Sequence, residues 1–407
     1  MEVPDGGTKA WLTVVGAWFV LFSTFGSVLG FLLQDGVANS MQVPVLLRCL
    51  RRWIGSFQLM MPFIVGVISG KLFDDGKFYL VEISGSVIFV FSYRFMLSLA
   101  KPNQYYQVRI FDPGVGMGIG LGLTFVPTVS INTHHFKRRR GLAAGIGLSG
   151  SSVGATIFPI SNHLIPKIGF ASTVRATGYI VLGCLIIGNS LMRTRLPPRR
   201  KRPDAVEPPS IKTFFTDAAY MWAVLGALIS TLGFYFPVIY IQLFAVQHSV
   251  DPNLAFYSIA ILNGASAFGR VVGNHLADVY GPYNIQVPCG VLTGAVILAV
   301  LGIHNGPSLI VVSILYGALS GAWLSLAFSI LAALARSQDE VGARIGLALA
   351  LSSFGSLGSA PIQGALLTHR FLWTRPIVFS GVAMFVGGAC FAVTRMMQAK
   401  RLSSQRV

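Results

Sequence analysis

Apolar runs separated by short polar stretches dominate this chain. They fall at about 11–33, 54–73, 78–99, 113–131, 141–163, 176–192, 218–245, 254–275, 286–303, 308–333, 343–367 and 376–394, twelve in all. A helix needs about 20 apolar residues to cross a bilayer. A lone segment in lipid must satisfy its own backbone hydrogen bonds, so each run is predicted to be a helix. The pattern predicts an all-α membrane protein with twelve transmembrane helices. Pro127, Pro159, Pro237 and Pro361 fall inside runs and predict kinks.

A polar stretch divides the runs six and six. It holds Arg195, Arg199, Arg200, Lys201 and Arg202, and prolines 197, 198, 203, 208 and 209. Such composition makes a linker rather than a packed element. The predicted organisation is a bundle over 1–192, a cytoplasmic linker over 193–217 and a second bundle over 218–407. The two parts also repeat. Gly70 to Asp74 after the second run resembles Gly273 to Asp278 after the eighth, with Asp74 and Asp278 offset by 204. Gly141-Leu142-Ala143 resembles Gly346-Leu347-Ala348 at an offset of 205. Two six-helix pseudo-repeats in parallel are the sequence mark of the major facilitator fold.

Composition narrows the class. Of 407 residues, 53% are hydrophobic and 11% charged, against about 25% charged in a soluble domain. The net charge of +17 sits in blocks between apolar runs, which is a topology signal and not a nucleic-acid surface. With the amino terminus inside, 20 Lys and Arg fall on inside segments and 7 on outside loops, so both termini are predicted inside. The first run is too long, and its acidic flank (Glu2, Asp5) wrong, for a cleavable signal. Cys49, Cys184, Cys289 and Cys390 show neither pairing nor zinc spacing. His134 and His135 are adjacent and point to different helix faces. No metal, nucleophile or cofactor motif is present, which argues against an enzyme and predicts no cofactor.

The Gly–x–Leu–x–Asp stretch at a helix end, whose aspartate recurs at Asp278, has a mechanical reading. Gly70 and Gly273 allow close helix approach. Asp74 and Asp278 can accept hydrogen bonds from amides at a neighbouring helix start and pair with a nearby Arg such as Arg140. These five residues are the candidate conformational gate. Lys137 to Arg140 as a run anchors topology near anionic lipid heads. The fifth run is rich in small residues (Gly141, Ala144, Gly145, Gly147, Gly150, Gly154), which suits either sliding or static packing.

Pro4-Asp5-Gly6-Gly7 shortly before Trp11 resembles the amino-terminal signature of the monocarboxylate transporter family. The stretch from His135 through Lys137-Arg138-Arg139-Arg140-Gly141 to Gly150-Ser151 is similar to that family's second signature. The wording resembles the fungal branch, whose members include riboflavin carriers. The resemblance implies a twelve-span facilitator and alternating access. It also implies a small organic anion or metabolite, such as a monocarboxylate, as cargo.

Arg270 is the leading substrate candidate. It lies eight residues before Asp278, about 12 Å from that helix end. An Arg within a span marks a pathway or an ion pair, and its fork suits a carboxylate. The alternative is a structural pair to a carboxylate such as Glu82. Asn263, Ser266, Arg270 and Asn274 share one helical face. Trp323 and Phe328 on the tenth run and Tyr235 on the seventh are softer candidates for stacking on a solute. Proton-coupled members of the family carry an Asp where Ser266 stands and a Lys in the first run, which has none here. Proton coupling by that arrangement is therefore doubtful.

Residues 36–52 and 108–113 fit the architecture badly and read as a gene-model error. They leave a degenerate transporter, or a non-transporting sensor on the same fold, as the alternative function. No organelle signal is evident, so the plasma membrane is the default and a vacuolar or other membrane the alternative. The sequence carries no signal of oligomeric state. Accessibility tags at the two termini should report the same membrane face, and labelling on opposite faces would overturn the predicted topology.

Overall fold

The computed structural model describes residues 5–28, 45–93, 115–159, 165–195, 211–335, 340–368 and 370–406. It is helical, with no strand among the described residues. The helices are α1 (Thr8–Val28, bent after Ser23), α2 (Val45–Asp74), α3 (Phe78–Phe91), α4 (Met117–Ser130), α5 (Arg140–Ile157) and α6 (Phe170–Leu191). After the linker come α7 (Ala218–Gln247), α8 (Pro252–Tyr280), α9 (Pro282–Ala299), α10 (Gly306–Ala333), α11 (Val341–Leu367) and α12 (Thr374–Leu402). Among the described residues, eight helices are long and apolar enough to cross a membrane. These are α1 and α6 to α12. The poorly fitting stretches 36–44 and 108–113 lie outside the described residues. Residues 45–52 form the start of α2, so the backbone that carries Arg48, Arg51 and Arg52 is helix rather than loop.

Prolines set two of the local departures from the predicted runs. α5 stops at Ile157 and Pro159 falls past its end, because proline has no amide hydrogen with which to continue the ladder. α7 is two segments, Ala218–Phe234 and Phe236–Gln247, joined at Tyr235. Pro237 forces that joint, and the freed carbonyls find side-chain donors. Gln363 Nε2 donates to the Leu232 carbonyl at 2.8 Å and Ser359 Oγ to the same oxygen at 3.1 Å. The Tyr316 hydroxyl donates to the Phe234 carbonyl. In an apolar interior a broken helix persists only when its polar groups are repaired in this way.

The closest helix crossings use glycine. Gly26 of α1 and Gly154 of α5 lie against each other, with a Cβ on Gly154 falling 2.9 Å from the Gly26 Cα. Gly150 faces the Trp18 carbonyl. Gly141 and Gly145 on the same helix turn instead toward α8. α5 therefore uses one small-residue face for α1 and another for α8.

Two charge clusters organise the end of the bundle that carries Lys137 to Arg140, here called the basic end. Arg344, 2% exposed, pairs with Asp217 at 3.1 Å and with Glu340 at 3.1 Å. Its guanidinium lies 4.8 Å from the centre of the Phe214 ring and 5.4 Å from that of Tyr220. The Tyr220 hydroxyl donates to the Arg344 carbonyl at 2.8 Å. The charge count along the sequence treats Arg344 as a topology cation. It is instead a buried bridge between the starts of α7 and α11, and removing one partner of such a pair would leave a buried charge uncompensated. In the other cluster, Asp5 accepts from the amides of Lys137 and of Arg138, the latter at 2.6 Å. Burial opposes ionisation of Asp5, but the Arg138 and Lys137 amides and the Arg138 charge outweigh it and hold the carboxyl below the usual aspartate range. At the far end of the chain Arg406 donates to the Asp278 carbonyl at 2.7 Å. Both described chain ends therefore sit at the basic end.

Replacing Gly154 with Leu should overpack the α1–α5 crossing and cost about 1–3 kcal/mol, read as a lower thermal unfolding midpoint in detergent. Gly183 has nothing within 4 Å of a built Cβ, so Gly183→Leu should leave that midpoint nearly unchanged.

Candidate functional site

The two acidic residues of the repeated motif do the same job twice, crosswise. Asp74, at the end of α2, accepts from the Gly342 amide at 3.0 Å and the Ala343 amide at 2.7 Å, both in the first turn of α11. Asp278, at the end of α8, accepts from Gly141 and Leu142 in the first turn of α5, each at 2.8 Å. The first amides of a helix have no partner within it and carry the positive end of its dipole, so a carboxylate there is doubly favoured. Each bond joins a helix from before the linker to one from after it.

Glycine lets the helices come this close. Gly70 and Gly66 of α2 lie against Gly342 and Gly346 of α11. Asn274 and Arg270 of α8 lie against Gly141 and Gly145 of α5. The structural equivalences are thus 70 with 274 and 66 with 270, at the offset of 204. The partner helices match at 201: Gly141 with Gly342 and Gly145 with Gly346. The Gly-Leu-Ala match at 205 is one turn out of structural register, because α11 starts at Val341. Gly273 is also reassigned. A Cβ there would meet Ala322 of α10 at 2.6 Å, so this glycine serves packing within the second set of helices, and Asn274 takes the crossing position. Arg140 donates through Nε to the Phe136 carbonyl at 2.9 Å, which holds the α4–α5 loop. It is Arg139, with His275, that lies in electrostatic range of Asp278.

Arg270 lies at the same α5–α8 interface, ten residues from the end of α8 and so about 15 Å inward. It is 4% exposed. Its Nε approaches Ser266 Oγ at 3.4 Å and its Nη1 donates to the Leu148 carbonyl at 3.3 Å. Ser152 Oγ of α5 bonds Ser266 Oγ at 3.2 Å, so two serines and the arginine span the interface. Tyr235, at the break in α7, is in electrostatic range of Arg270. Among the described residues no carboxylate lies within ion-pair distance of Arg270. Glu82, the structural partner considered for it, is instead bonded by Thr128 Oγ1 at 2.9 Å.

The remaining candidates separate. Asn263 donates to its own helix at the Ile259 carbonyl, 3.0 Å away. Asn274 turns to α10, donating to Ser325 Oγ at 2.6 Å and accepting from Ser329 Oγ at 3.1 Å. Trp323 is buried within the second set, between Phe234 at 5.3 Å and Phe391 at 6.2 Å. Phe328 meets Phe125 of α4 edge to face at 5.3 Å, and Phe125 continues to Phe25 at 5.3 Å and Phe63 at 5.9 Å. Phe328 is five residues from the end of α10, so this aromatic contact lies between the Arg270 level and the basic end. Sequence reasoning missed Phe125, Ser152 and the Leu148 carbonyl, all on helices distant in sequence from Arg270. Among the described residues no cluster of His, Cys, Asp and Glu could hold a metal ion. Cys184, Cys289 and Cys390 are free thiols.

Comparison with known proteins points one way. The Major Facilitator Superfamily profile matches residues 52–306. The chain is 36% identical over 395 residues to the MFS-type transporter dbaD of Emericella nidulans, covering 96% of this chain and 87% of that one. It is 33% identical over 387 residues to the aspyridones efflux protein apdF of the same organism, covering 95% and 77%. Among solved structures, the human organic anion transporter MFSD10 superimposes with a TM-score of 0.72 at 12% identity, covering 96% of this chain and 99% of that one. The E. coli fucose:proton symporter superimposes with 0.70 at 13% identity, covering 95% and 98%. These low identities speak to the fold alone.

Replacing Asp74 and Asp278 with Asn should each weaken the closed basic end by about 0.5–2 kcal/mol, and the double variant by roughly the sum. Spin labels at Lys77 and Ala333 should then show a growing population at longer separation. An unchanged distance distribution in the double variant would remove the latch role.

Proposed function

Because the chain belongs to the Major Facilitator Superfamily, a family of transporters and not of enzymes, we propose that it moves a small organic anion across its membrane by alternating access. Residues 1–192 and 218–407 act as two six-helix bundles that rock about a central space, with the 193–217 linker on the cytoplasmic side. The conformation described here is closed at the basic end by the crosswise aspartate latches and by the Phe125–Phe328 contact. Access to Arg270 would then come from the opposite side. Opening the basic end requires both carboxylates to leave their helix starts, and α2 and α5 to slide from α11 and α8 along glycine.

One observation carries the choice of an anion. Arg270 is a buried guanidinium at the bundle interface, held by a hydroxyl and a carbonyl and by no carboxylate among the described residues. A cation at such a depth costs at least about 2.5 kcal/mol, and an arriving carboxylate or similar acid offsets this with two parallel charge-assisted bonds. Ser266 and Ser152 offer hydroxyls beside it, and Tyr235 offers another from the α7 break. A monocarboxylate fits this chemistry. So does a larger acidic metabolite, and the resemblance to a relative named as an efflux protein favours export of such a compound. The doubled latch favours a working carrier over a degenerate one.

Uptake of radiolabelled monocarboxylates, larger organic acids and riboflavin into vesicles tests this reading. At least one acid should be transported, with apparent affinity falling about ten- to hundred-fold in Arg270→Ala, the loss expected for a charge-assisted hydrogen bond. Arg270→Lys should fall between. Equal uptake of every acid by wild type and Arg270→Ala would remove the arginine from the mechanism.

A further inference from the structure

A second ionisable group lies buried away from Arg270. Glu82 is on α3, four residues after its start at Phe78, about 6 Å from the basic end. It is 1% exposed. Thr128 Oγ1 of α4 donates to Oε1 at 2.9 Å, and Oε2 has no hydrogen-bond partner among the described residues.

Among the described residues no cation pairs with it. α3 packs chiefly on α4, and also touches α6 and α2. From α4 the polar group facing Glu82 is Thr128, while Thr124 bonds back to its own helix at the Gly120 carbonyl. From α6, Asn189 is turned to Ser86 at 3.0 Å and Thr177 to Tyr93 at 3.1 Å. From α2, Asp74 is engaged with α11 and Lys71 is exposed. His134, beyond α4, stacks on Phe73 with ring centres 5.1 Å apart. On α3 itself, Tyr79 accepts from the Thr194 amide at 3.2 Å. None of these pairs with Glu82, and among the described residues Thr128 supplies its one hydrogen bond.

An unpaired carboxylate in such a place carries the full cost of a desolvated charge, whereas the acid leaves only one hydroxyl unmatched. Ionisable groups retained inside spans commonly serve proton relays. The bonded partner is also placed to move. Thr128 follows Pro127, which lies inside α4 and removes the amide that would hold the Leu123 carbonyl. The same helix carries Phe125, which touches Phe328 across the bundle interface. Separation of that aromatic pair therefore acts on α4 within one turn of the Glu82 partner.

We propose that Glu82 is a proton-binding site of the transport cycle: its carboxyl holds a proton while the basic end is closed, and exchanges it with water there when α4 bends at Pro127. The step is a simple protonation of Oε2, with water at the basic end as donor and acceptor. The proposal rests on the alternating-access reading but not on the identity of the cargo or the role of Arg270.

Infrared spectroscopy of the purified full chain in lipid nanodiscs tests it with the proton as the probe. Wild type at neutral pH should show the carbonyl stretch of a protonated carboxyl group that is absent in Glu82→Gln. Thr128→Val should shift that band, which guards against a folding defect in the first variant. In heavy water the band should exchange slowly in wild type and several-fold faster when Asp74→Asn and Asp278→Asn release the basic end. Absence of the band from wild type, or its persistence in Glu82→Gln, overturns the proposal. A band whose exchange is the same in wild type and the unlatched variant also overturns it, because it marks a static acid. Transport data on Arg270 leave these outcomes unaffected, so the two readings fail separately.

Discussion

Each aspartate that reaches across the bundle meets two amides that their own helix cannot satisfy. Asp74 at the start of α11 and Asp278 at the start of α5 are short attractive contacts between the two sets of helices. The remainder of the closed interface depends on this anchoring. Glycine-lined crossings between α2 and α11, and between α5 and α8, contribute dispersion energy that falls steeply with small separations, to which the α5–α8 crossing adds the Arg270–Leu148 and Ser152–Ser266 hydrogen bonds. The aspartates hold the register of both crossings at the basic end.

The doubled arrangement is symmetric in backbone and asymmetric in chemistry. Gly66 of α2 and Arg270 of α8 occupy equivalent places, each against a glycine of the partner helix. One repeat has no side chain at that level and the other has a guanidinium. Duplication provides the crossing geometry, and a single departure from it provides the charged group. The break in α7 adds Tyr235 to the same region, at the cost of two carbonyls that Gln363, Ser359 and Tyr316 repair. These repairs bind α7 to α10 and α11. Arg344, bonded to Asp217 and Glu340, ties the starts of α7 and α11 together at the basic end.

The first set of helices is built differently. It has no counterpart to the Arg344 bridge among the described residues. It closes its basic end with Asp5 on the α4–α5 loop and with Trp11 against Phe136 at 5.1 Å. That assigns a structural task to Asp5, Gly6 and Gly7 of the amino-terminal signature. The aspartate caps the loop, and Gly6 and Gly7, both at positive φ, let the chain turn into α1.

Much of this was legible in the order of residues. Apolar length and the demand for internal backbone bonding dictate helices in any surroundings, so the class could be read directly. The Asp74 and Asp278 repeat could be read as well, because a carboxylate at a helix end has few other uses. Arg270 stood out because charge inside an apolar run is costly wherever the run is placed. Which helix each group meets was not legible. Glu82 could have paired with Arg270 and was found on Thr128; Trp323 could have lined a cavity and was found packed between Phe234 and Phe391; Gly273 was found to serve α10 and not the latch. The repeat seen at offset 205 slipped one turn, since local similarity does not report where a helix starts. Period and composition are properties of one segment, and a sequence states them outright. Contact between segments depends on the rotation and depth of two helices at once, and only the packed chain decides that.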